Sequence, residues 1–243
     1  MKLKSPDTGI GTSAARYLTL LVEDNRCIDG VSLMTYDTPP TLQSRLSASS
    51  EVSTIVNKAL ILRDSISMPF WDAAMLNCFS NGGSAKDLLG AALFHQRAQS
   101  RRWAVSREDV LNSALHLANE SGHGIAFCSE LLISGESVFM PLIDFHCPEC
   151  AENDGLVRAA CELLTEFQVA VFRSGKSYHA YVLCAISPHE LRQMLCRALL
   201  LAPIVDKAYL AHQLLEDCCA LRINATESKP YIPDLKFVVG KAH

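Results

Sequence analysis

The chain has 243 residues, of which 49% are hydrophobic and 20% charged, and its formal net charge at pH 7 is −4. This composition belongs to a globular protein with enough apolar side chains for a core, so a mainly disordered chain is excluded. The mild acidity argues against a protein that coats nucleic acid or an anionic membrane through bulk charge. Any contact with a polyanion would therefore be local.

Neither a membrane segment nor a disulfide scaffold is expected. The longest uninterrupted apolar stretch, 198–205, is far shorter than the roughly 20 residues of a membrane-spanning helix, and the N-terminal residues lack the apolar core of a signal peptide. The ten cysteines are too sparse for a small disulfide-rich fold and are predicted to be mostly buried thiols. We therefore expect a cytoplasmic protein without a membrane partner.

Residues 1–120 are predicted to form a mainly helical N-terminal region. From residue 51 the apolar side chains recur at the spacing of a helix face: Val52, Ile55, Val56, Ala59 and Leu60. A second helical pattern covers 88–99, and a third follows Ser106, so that 51–120 is expected to be a helical layer. Before it, 17–22 is predicted to be a short strand or helical turn, and 35–50 a loop rich in Thr, Ser and Pro.

Residues 121–243 show a different pattern, in which strands alternate with helices. Strands are predicted near 125–132, 137–145, 169–173, 178–186 and 218–224, with helices at 155–167 and 188–202 packed on one face of a single antiparallel sheet. The second helix has a strong start, with Ser187 as N-cap, Pro188 at the first helical position and Glu190 two residues later. Tight turns between neighbouring strands require antiparallel pairing, so the fold class is α+β.

Three short segments of this half carry side chains suited to phosphate chemistry. Asp144 and His146 stand two apart at the end of a strand and can share one ion, although a turn-capping Asp is an equal alternative. Lys176, Ser177 and His179 follow a Gly-bearing turn and suit phosphate oxygens, with a hairpin turn and a core histidine as the alternative. The strand-borne Arg222 needs an anionic partner, which can be a ligand or an internal carboxylate.

The order of these segments resembles the archaeo-eukaryotic primase superfamily, the primase-polymerases, over residues 122–240. That resemblance implies an RRM-like α+β core that joins nucleotides on a template using two metal ions. It implies that Asp144 is the first metal-binding carboxylate and that Ser177-Tyr178-His179 is the Ser-x-His segment that contacts the phosphates of the incoming nucleotide. The third-motif Asp is most similar to Asp206, with Asp217 as the weaker alternative, and the Arg that follows is similar to Arg222.

The sequence departs from the family pattern at residue 146. The first motif of the family normally carries two carboxylates, Asp-x-Asp or Asp-x-Glu, whereas this chain has Asp-Phe-His. Imidazole bridges hard cations poorly and favours softer metals than Mg²⁺. A single Mn²⁺ or other metal on Asp144, His146 and Asp206, a nucleotide-binding pseudoenzyme and a vestigial site therefore all stay open.

Two further clusters have functional and structural interpretations. Cys147 and Cys150 have the spacing of half a zinc knuckle, but no plausible second pair follows, so we expect them to be reduced and metal-free. Arg101, Arg102 and Trp103 can lie along a nucleic-acid backbone with the indole stacked on a base, although a solvated charged face is favoured.

The leading hypothesis from the sequence is a primase-polymerase-like protein that binds a nucleotide, DNA or RNA. Its enzyme version is a metal-dependent nucleotidyltransferase that uses Mg²⁺ or Mn²⁺, with Asp144 and Asp206 as the catalytic carboxylates. The alternative is a non-catalytic interaction subunit, in which the N-terminal helical region binds a partner protein within a mobile-element or antiviral complex.

Overall fold

The computed structural model describes residues 1–36, 50–66, 68, 70–80, 101–112, 123–202, 204–227 and 229–240. The strands of these residues are β1 (Ile28–Tyr36), β2 (Arg101–Ser106), β3 (Gly124–Ile133), β4 (Glu136–Phe139), β5 (Leu142–Asp144), β6 (Val169–Arg173), β7 (Tyr178–Val182), β8 (Ala220–Arg222) and β9 (Asp234–Val239). Their helices are α1 (Ala14–Asp24), α2 (Ser50–Ile66), α3 (Phe70–Ser80), α4 (Arg107–Asn112), α5 (Ala151–Leu164), α6 (Pro188–Leu199) and α7 (Lys207–Glu216). The predicted α+β fold class is confirmed.

The chain divides into two compact units, and the limits of these units differ from the boundary near residue 120 that the sequence suggested. The first unit combines Met1–Tyr36 with Ser100–His243, and the second is Asp37–Gln99. In the second unit α2 and α3 share a small apolar core. Its buried residues are Val52, Ile55, Val56, Ala59, Ala73, Ala74 and Cys78, and Leu60 packs against them. The α2 members of this core, with Leu60, are the helical stripe expected from the sequence. None of the helices in the described ranges is long and apolar enough to cross a membrane.

The strands of the first unit lie in two antiparallel sheets instead of the single sheet expected. The first sheet has the order β2-β1-β3-β4, with β8 also paired to β3, and the second has the order β5-β7-β6-β9. The predicted strand 137–145 is divided at Met140 and Pro141, so that β4 joins the first sheet and β5 the second. Proline has no N–H to donate to a ladder, which favours a change of partner at this point.

Aromatic side chains fill the core of the first unit. Tyr17 of α1 contacts Phe172 of β6 with ring centroids 5.1 Å apart, and Phe172 contacts Tyr181 of β7 at 4.5 Å. Tyr181 in turn lies 5.7 Å from Phe127 of β3, which belongs to the other sheet. One face of the second sheet is thereby packed toward α1 and the first sheet, and the same face of β7 carries His179.

Several expectations for the N-terminal part need correction. Residues 17–22 lie within α1, which begins after the N-cap Ser13, and the predicted loop from residue 35 begins inside β1. Residues 101–106 form a strand within the expected helical layer. The predicted helix over 88–99 and the end of the one after Ser106 lie outside the described residues.

Strand β2 was not predicted from the sequence, because its charged residues make the alternation of core-facing and solvent-facing side chains hard to recognise. Trp103 and Val105 pack toward the core, and Arg102 lies on the alternate side, as expected for a strand paired with β1. Glycine at position 30 of β1 allows this pairing to be close, since a Cβ there would lie 2.8 Å from the Val105 carbonyl oxygen.

Local signals with strong stereochemistry are confirmed. Ser187 caps α6 with its hydroxyl, and the Glu190 carboxylate accepts from the Ser187 N–H at 2.8 Å, which completes the capping box. Ser134 and Gly135 connect β3 to β4 with positive φ angles, as a two-residue hairpin turn between antiparallel strands requires.

Candidate functional site

Asp144 and His179 are neighbours on one face of the second sheet. They lie directly opposite each other in the antiparallel pair of β5 and β7, and opposite residues of such a pair project to the same side. Nε2 of His179 is 3.7 Å from Oδ1 of Asp144. His179 is 6% exposed and the Asp144 side chain 26% exposed, so the pair is at the rim of the core.

Three buried polar atoms on this face have no hydrogen-bond partner among the described residues. They are Oδ1 of Asp144, Nδ1 of His179 and the hydroxyl of Tyr181, which stands two residues after His179 on β7. Buried polar groups in folded proteins are nearly always paired, with the protein or with water. The cluster is therefore a polar site whose partners are not supplied by the described part of the chain.

The electrostatics of the pair favour neutral groups. Burial raises the pKa of Asp144 to about 7, with the charge of Asp206 adding to the rise, while Lys229 and Arg222 oppose it. Burial also lowers the pKa of His179 well below its usual value, and Arg222 and Lys229 lower it further. His179 is therefore a neutral imidazole near pH 7, and its contact with Asp144 is not a salt bridge at that pH.

Asp206 is held beside Asp144 by the backbone. The segment before α7 runs antiparallel to the end of β5, with a bridge between Phe145 and Val205, and the Asp206 N–H donates to the Asp144 carbonyl oxygen at 2.9 Å. Oδ1 of Asp206 accepts from the N–H groups of Ala208 and Tyr209 at 2.9 and 3.0 Å, so Asp206 is the N-cap of α7.

Asp206→Asn should separate the two effects of this side chain, which are capping of α7 and raising the pKa of Asp144 by its charge. Asparagine caps a helix about as well as aspartate, so the free energy of unfolding should change by less than about 0.5 kcal/mol, whereas Asp206→Ala should cost about 1 kcal/mol. Loss of the charge should lower the pKa of Asp144 in the asparagine variant. NMR titration of the Asp144 carboxyl carbon measures this shift, and an unchanged pKa would contradict the coupling.

Asp217, the weaker sequence candidate, is at the other end of α7. It is the C-cap, with φ of 50°, and its carboxylate pairs with Arg192 at 2.6 Å. A ten-residue helix is about 15 Å long, which separates Asp217 from the N-terminal end where Asp206 meets Asp144.

The His146 side chain is exposed, and the main-chain N–H of this residue donates to the Ile204 carbonyl oxygen at 2.8 Å. Within the described ranges no three His, Cys, Asp or Glu side chains are grouped to hold a metal ion. The set Asp144, His146 and Asp206 thus does not form an all-protein metal cage in this structure. The same holds for the half-buried Cys147 and Cys150, both free thiols.

Lys176 and Ser177 lie in the turn that leads into β7. The Ser174 N–H donates to the Ser177 carbonyl oxygen at 2.9 Å, and the two serine hydroxyls are 3.1 Å apart. Gly175 adopts φ of 107°, a conformation that favours glycine. The turn leaves Lys176 exposed and Ser177 half-buried, two residues before His179.

Arg222 is buried at the end of β8 and donates to main-chain carbonyl oxygens. Nη1 donates to Asn224 and Tyr231, and Nη2 donates to Ser174 at 2.8 Å. The sequence predicted an anionic partner for this guanidinium, either a phosphate or an internal carboxylate. The contacts described for it join the segment after β8, at Asn224 and Tyr231, to the turn at 174–177.

Lys229 acts on the site through its charge and was missed from the sequence. It is exposed on a tight turn closed by hydrogen bonds between the main chains of Thr226 and Lys229, at 2.9 and 3.1 Å. Its positive charge affects the pKa of both Asp144 and His179. Only its place in the loop that follows Arg222 could have indicated it, because a single exposed lysine carries no periodic signal.

The basic cluster for which nucleic-acid contact was the less favoured interpretation lies on β2. Arg102 pairs with the carboxylate of Glu130 on β3, and Trp103 packs against the core. Arg101 is exposed. Adjacent residues of a strand point to opposite faces, so Arg102 and Trp103 do not share a surface.

One family model matches this chain, and no curated protein or solved structure was found to match it. The model is described as AEP-like, archaeo-eukaryotic primase 1D-like, and it covers residues 105–233. This range is just over half of the 243 residues, and it contains Asp144, Ser177, His179, Asp206 and Arg222. The chain therefore belongs to the AEP-like family of archaeo-eukaryotic primase-related proteins, in keeping with the resemblance of its motifs.

Proposed function

We propose that this primase-like domain binds the phosphates of a nucleotide or of a nucleic-acid end at the Asp144–His179 face, together with one divalent cation. The observation that carries the proposal is the half-buried Asp144 carboxylate, whose buried Oδ1 lacks a partner among the described residues while the charge of Asp206 acts on it. Two carboxylates that repel each other are stabilised by a cation between them.

The residues present suit one Mg²⁺ or Mn²⁺ that is shared with a ligand. Such ions are commonly held by one or two carboxylates together with substrate phosphates, and here Asp144 and Asp206 would supply them. A bound cation would neutralise part of the phosphate charge. A two-metal site does not fit, because the second carboxylate of the first motif is replaced by the exposed His146.

Cationic and neutral donors surround the same face. Lys229 and Arg222 make the local potential positive, and Lys176 and Ser177 lie in the turn next to His179. Neutral His179 keeps one ring N–H, which can donate to a phosphate oxygen. We therefore propose recognition of phosphate without two-metal nucleotidyl transfer.

Titration calorimetry tests the binding with a nucleoside triphosphate and a 5′-phosphorylated oligonucleotide, each with Mg²⁺, Mn²⁺ or EDTA. Affinity should be higher with a cation. Lys229→Gln should weaken binding about tenfold, the value of one charge-assisted hydrogen bond. Lys4→Gln is the matched control, because Lys4 is an exposed lysine paired with Asp24. Equal losses in both variants would contradict a role for Lys229.

Catalysis needs a separate assay on the same protein. Labelled nucleotides with primed and unprimed templates, in Mg²⁺ and Mn²⁺ in parallel, should give binding without extension. Extension that is lost in Asp144→Asn would overturn this part of the proposal and establish a transferase.

A second candidate function is an interaction subunit that binds a partner protein through the α2–α3 unit. The observation that favours it is the exposure of large apolar side chains there, with Ile61 69% and Phe79 78% exposed. Ile61→Glu combined with Phe79→Glu should abolish association with a partner while leaving nucleotide binding unchanged.

A further inference from the structure

Two cysteines outside the proposed site lie in contact within the first unit. Cys128 of β3 and Cys218, two residues before β8, share a small buried cluster with Met34 and Ala220. Cys128 is opposite Ala220 in the β3–β8 pair, and Cys218, which lies two residues before Ala220, packs in the same cluster. The Ser129 hydroxyl is 3.6 Å from the Cys218 sulfur.

The surroundings of Cys218 favour its thiolate. Its hydrogen bond with Cys128 lowers the pKa of Cys218 below that of an ordinary thiol, against the effect of burial, and Ser129 and the positive charge of Arg102 contribute to the decrease. Burial instead raises the pKa of Cys161 and of Cys219 to about 12. The pair thus combines a nucleophilic sulfur with a second thiol in direct contact.

We propose that Cys128 and Cys218 form a reversible disulfide when hydrogen peroxide oxidises the protein. The Cys218 thiolate attacks one peroxide oxygen, the O–O bond breaks, and protonation of the leaving oxygen gives water and a sulfenic acid. The Cys128 sulfur then attacks the sulfenic sulfur, so that the S–S bond forms, the S–O bond breaks and a second water leaves. Two thiols are oxidised by two electrons in all, and the peroxide is reduced.

This disulfide would join β3 to the segment that enters β8. Strand β8 ends at Arg222, which connects the loop carrying Lys229 to the turn carrying Lys176. Oxidation would therefore restrain β8, and with it Arg222, which contacts both the loop that carries Lys229 and the turn that carries Lys176. The proposal rests on the place of both cysteines in one buried cluster beside the β3–β8 pair, and it is independent of the proposed function.

The test uses the full chain treated with limiting hydrogen peroxide and then alkylated. Mass spectrometry of the unreduced digest should show a peptide linked through Cys128 and Cys218 that disappears after treatment with dithiothreitol. Exposed Cys27 and Cys196 should remain alkylated thiols at this dose. Preferential oxidation of Cys27 or Cys196, with Cys128 and Cys218 recovered as thiols, would overturn the proposal.

Variants separate the roles of the two sulfurs. In Cys128→Ser the Cys218 sulfenic acid should persist and react with dimedone, whereas Cys218→Ala should give no sulfenic acid at Cys128. Arg102→Gln should slow oxidation of Cys218 several-fold, and Arg101→Gln, on the same strand, should not. Equal oxidation rates in these two arginine variants would contradict activation of Cys218 by the charge of Arg102. The arginine variants keep the test informative if a cysteine variant fails to fold.

Discussion

Asp144→Asn should weaken nucleotide binding in the presence of a divalent cation and strengthen it in EDTA. With Mg²⁺ or Mn²⁺ the variant loses an anionic ligand, and we expect a loss of about 100-fold, or about 3 kcal/mol. Without the cation, the carboxylate repels phosphate, and a neutral amide of the same shape removes that repulsion. Calorimetry of the wild type and the variant under both conditions measures whether the effect of the substitution on affinity changes sign when the cation is removed.

The same substitution should change how stability depends on pH. The carboxyl pKa rises from 3.8 in an unfolded chain to about 7 in the folded protein, so between these values the folded state retains a proton that the unfolded state has lost. Stability contributed by Asp144 is fully present below pH 3.8, falls as pH rises to about 7, and is constant above it. The difference in melting temperature between Asp144→Asn and the wild type should therefore favour the variant more at pH 8 than at pH 5.

Asp217→Asn is the matched control for both measurements. Asp217 is an exposed C-cap in the left-handed conformation, which asparagine tolerates. We expect Asp217→Asn to change nucleotide affinity little, and its effect on affinity should not change sign when the cation is removed. If Asp144→Asn and Asp217→Asn behave alike, Asp144 does not contact the cation or the phosphate.

The juxtaposition of Asp144 and His179 could be anticipated because it depends on strand geometry over a few residues. A strand-end Asp and a Ser-x-His strand need only pair in register to share a face, and β5 and β7 do so. Ser187, Pro188 and Glu190 likewise predicted the start of α6 because capping is a local interaction.

The division into two sheets could not be anticipated from the same patterns. Residues 137–145 read as one strand, and the change of sheet at Pro141 depends on distant partners such as β7 and β3. Strand β2 was hidden for a similar reason, since its Arg102 is balanced by Glu130 on a strand 28 residues away. Periodicity reports which side of an element is buried, but it does not identify the element against which that side packs.

The sequence identified Arg222 as a residue of the candidate site, but its contacts give it a role in positioning loops that the sequence did not indicate. The sequence indicated that this strand-borne arginine needs an anionic partner, either a ligand or an internal carboxylate. Its acceptors in the structure are carbonyl oxygens of Ser174, Asn224 and Tyr231, which no pattern in the sequence identifies. The guanidinium therefore positions two loops, while its charge still acts on Asp144 and His179.

Arg222→Met should be the most destabilising single substitution at this site, and Arg222→Lys should rescue little of the loss. Methionine fills a similar volume but leaves three main-chain carbonyl oxygens without their donor, at a cost of about 3 kcal/mol. Lysine retains the charge but cannot direct a planar fork at carbonyls of two different loops. Thermal and urea unfolding measure the effect. Arg192→Met is the control, because its exposed pair with Asp217 is worth less than about 1 kcal/mol.

Binding measured below the melting temperature of each variant distinguishes positioning from direct contact with phosphate. If Arg222 contacted the ligand only through its charge, Arg222→Lys would bind nearly as well as the wild type. If it positions the loops of Lys176 and Lys229, Arg222→Lys should lose affinity along with stability, and the further loss on adding Lys229→Gln should be smaller than in the wild type. Strictly additive losses in this double-mutant cycle would refute the positioning role, because they would mean that Lys229 contributes equally with and without the arginine.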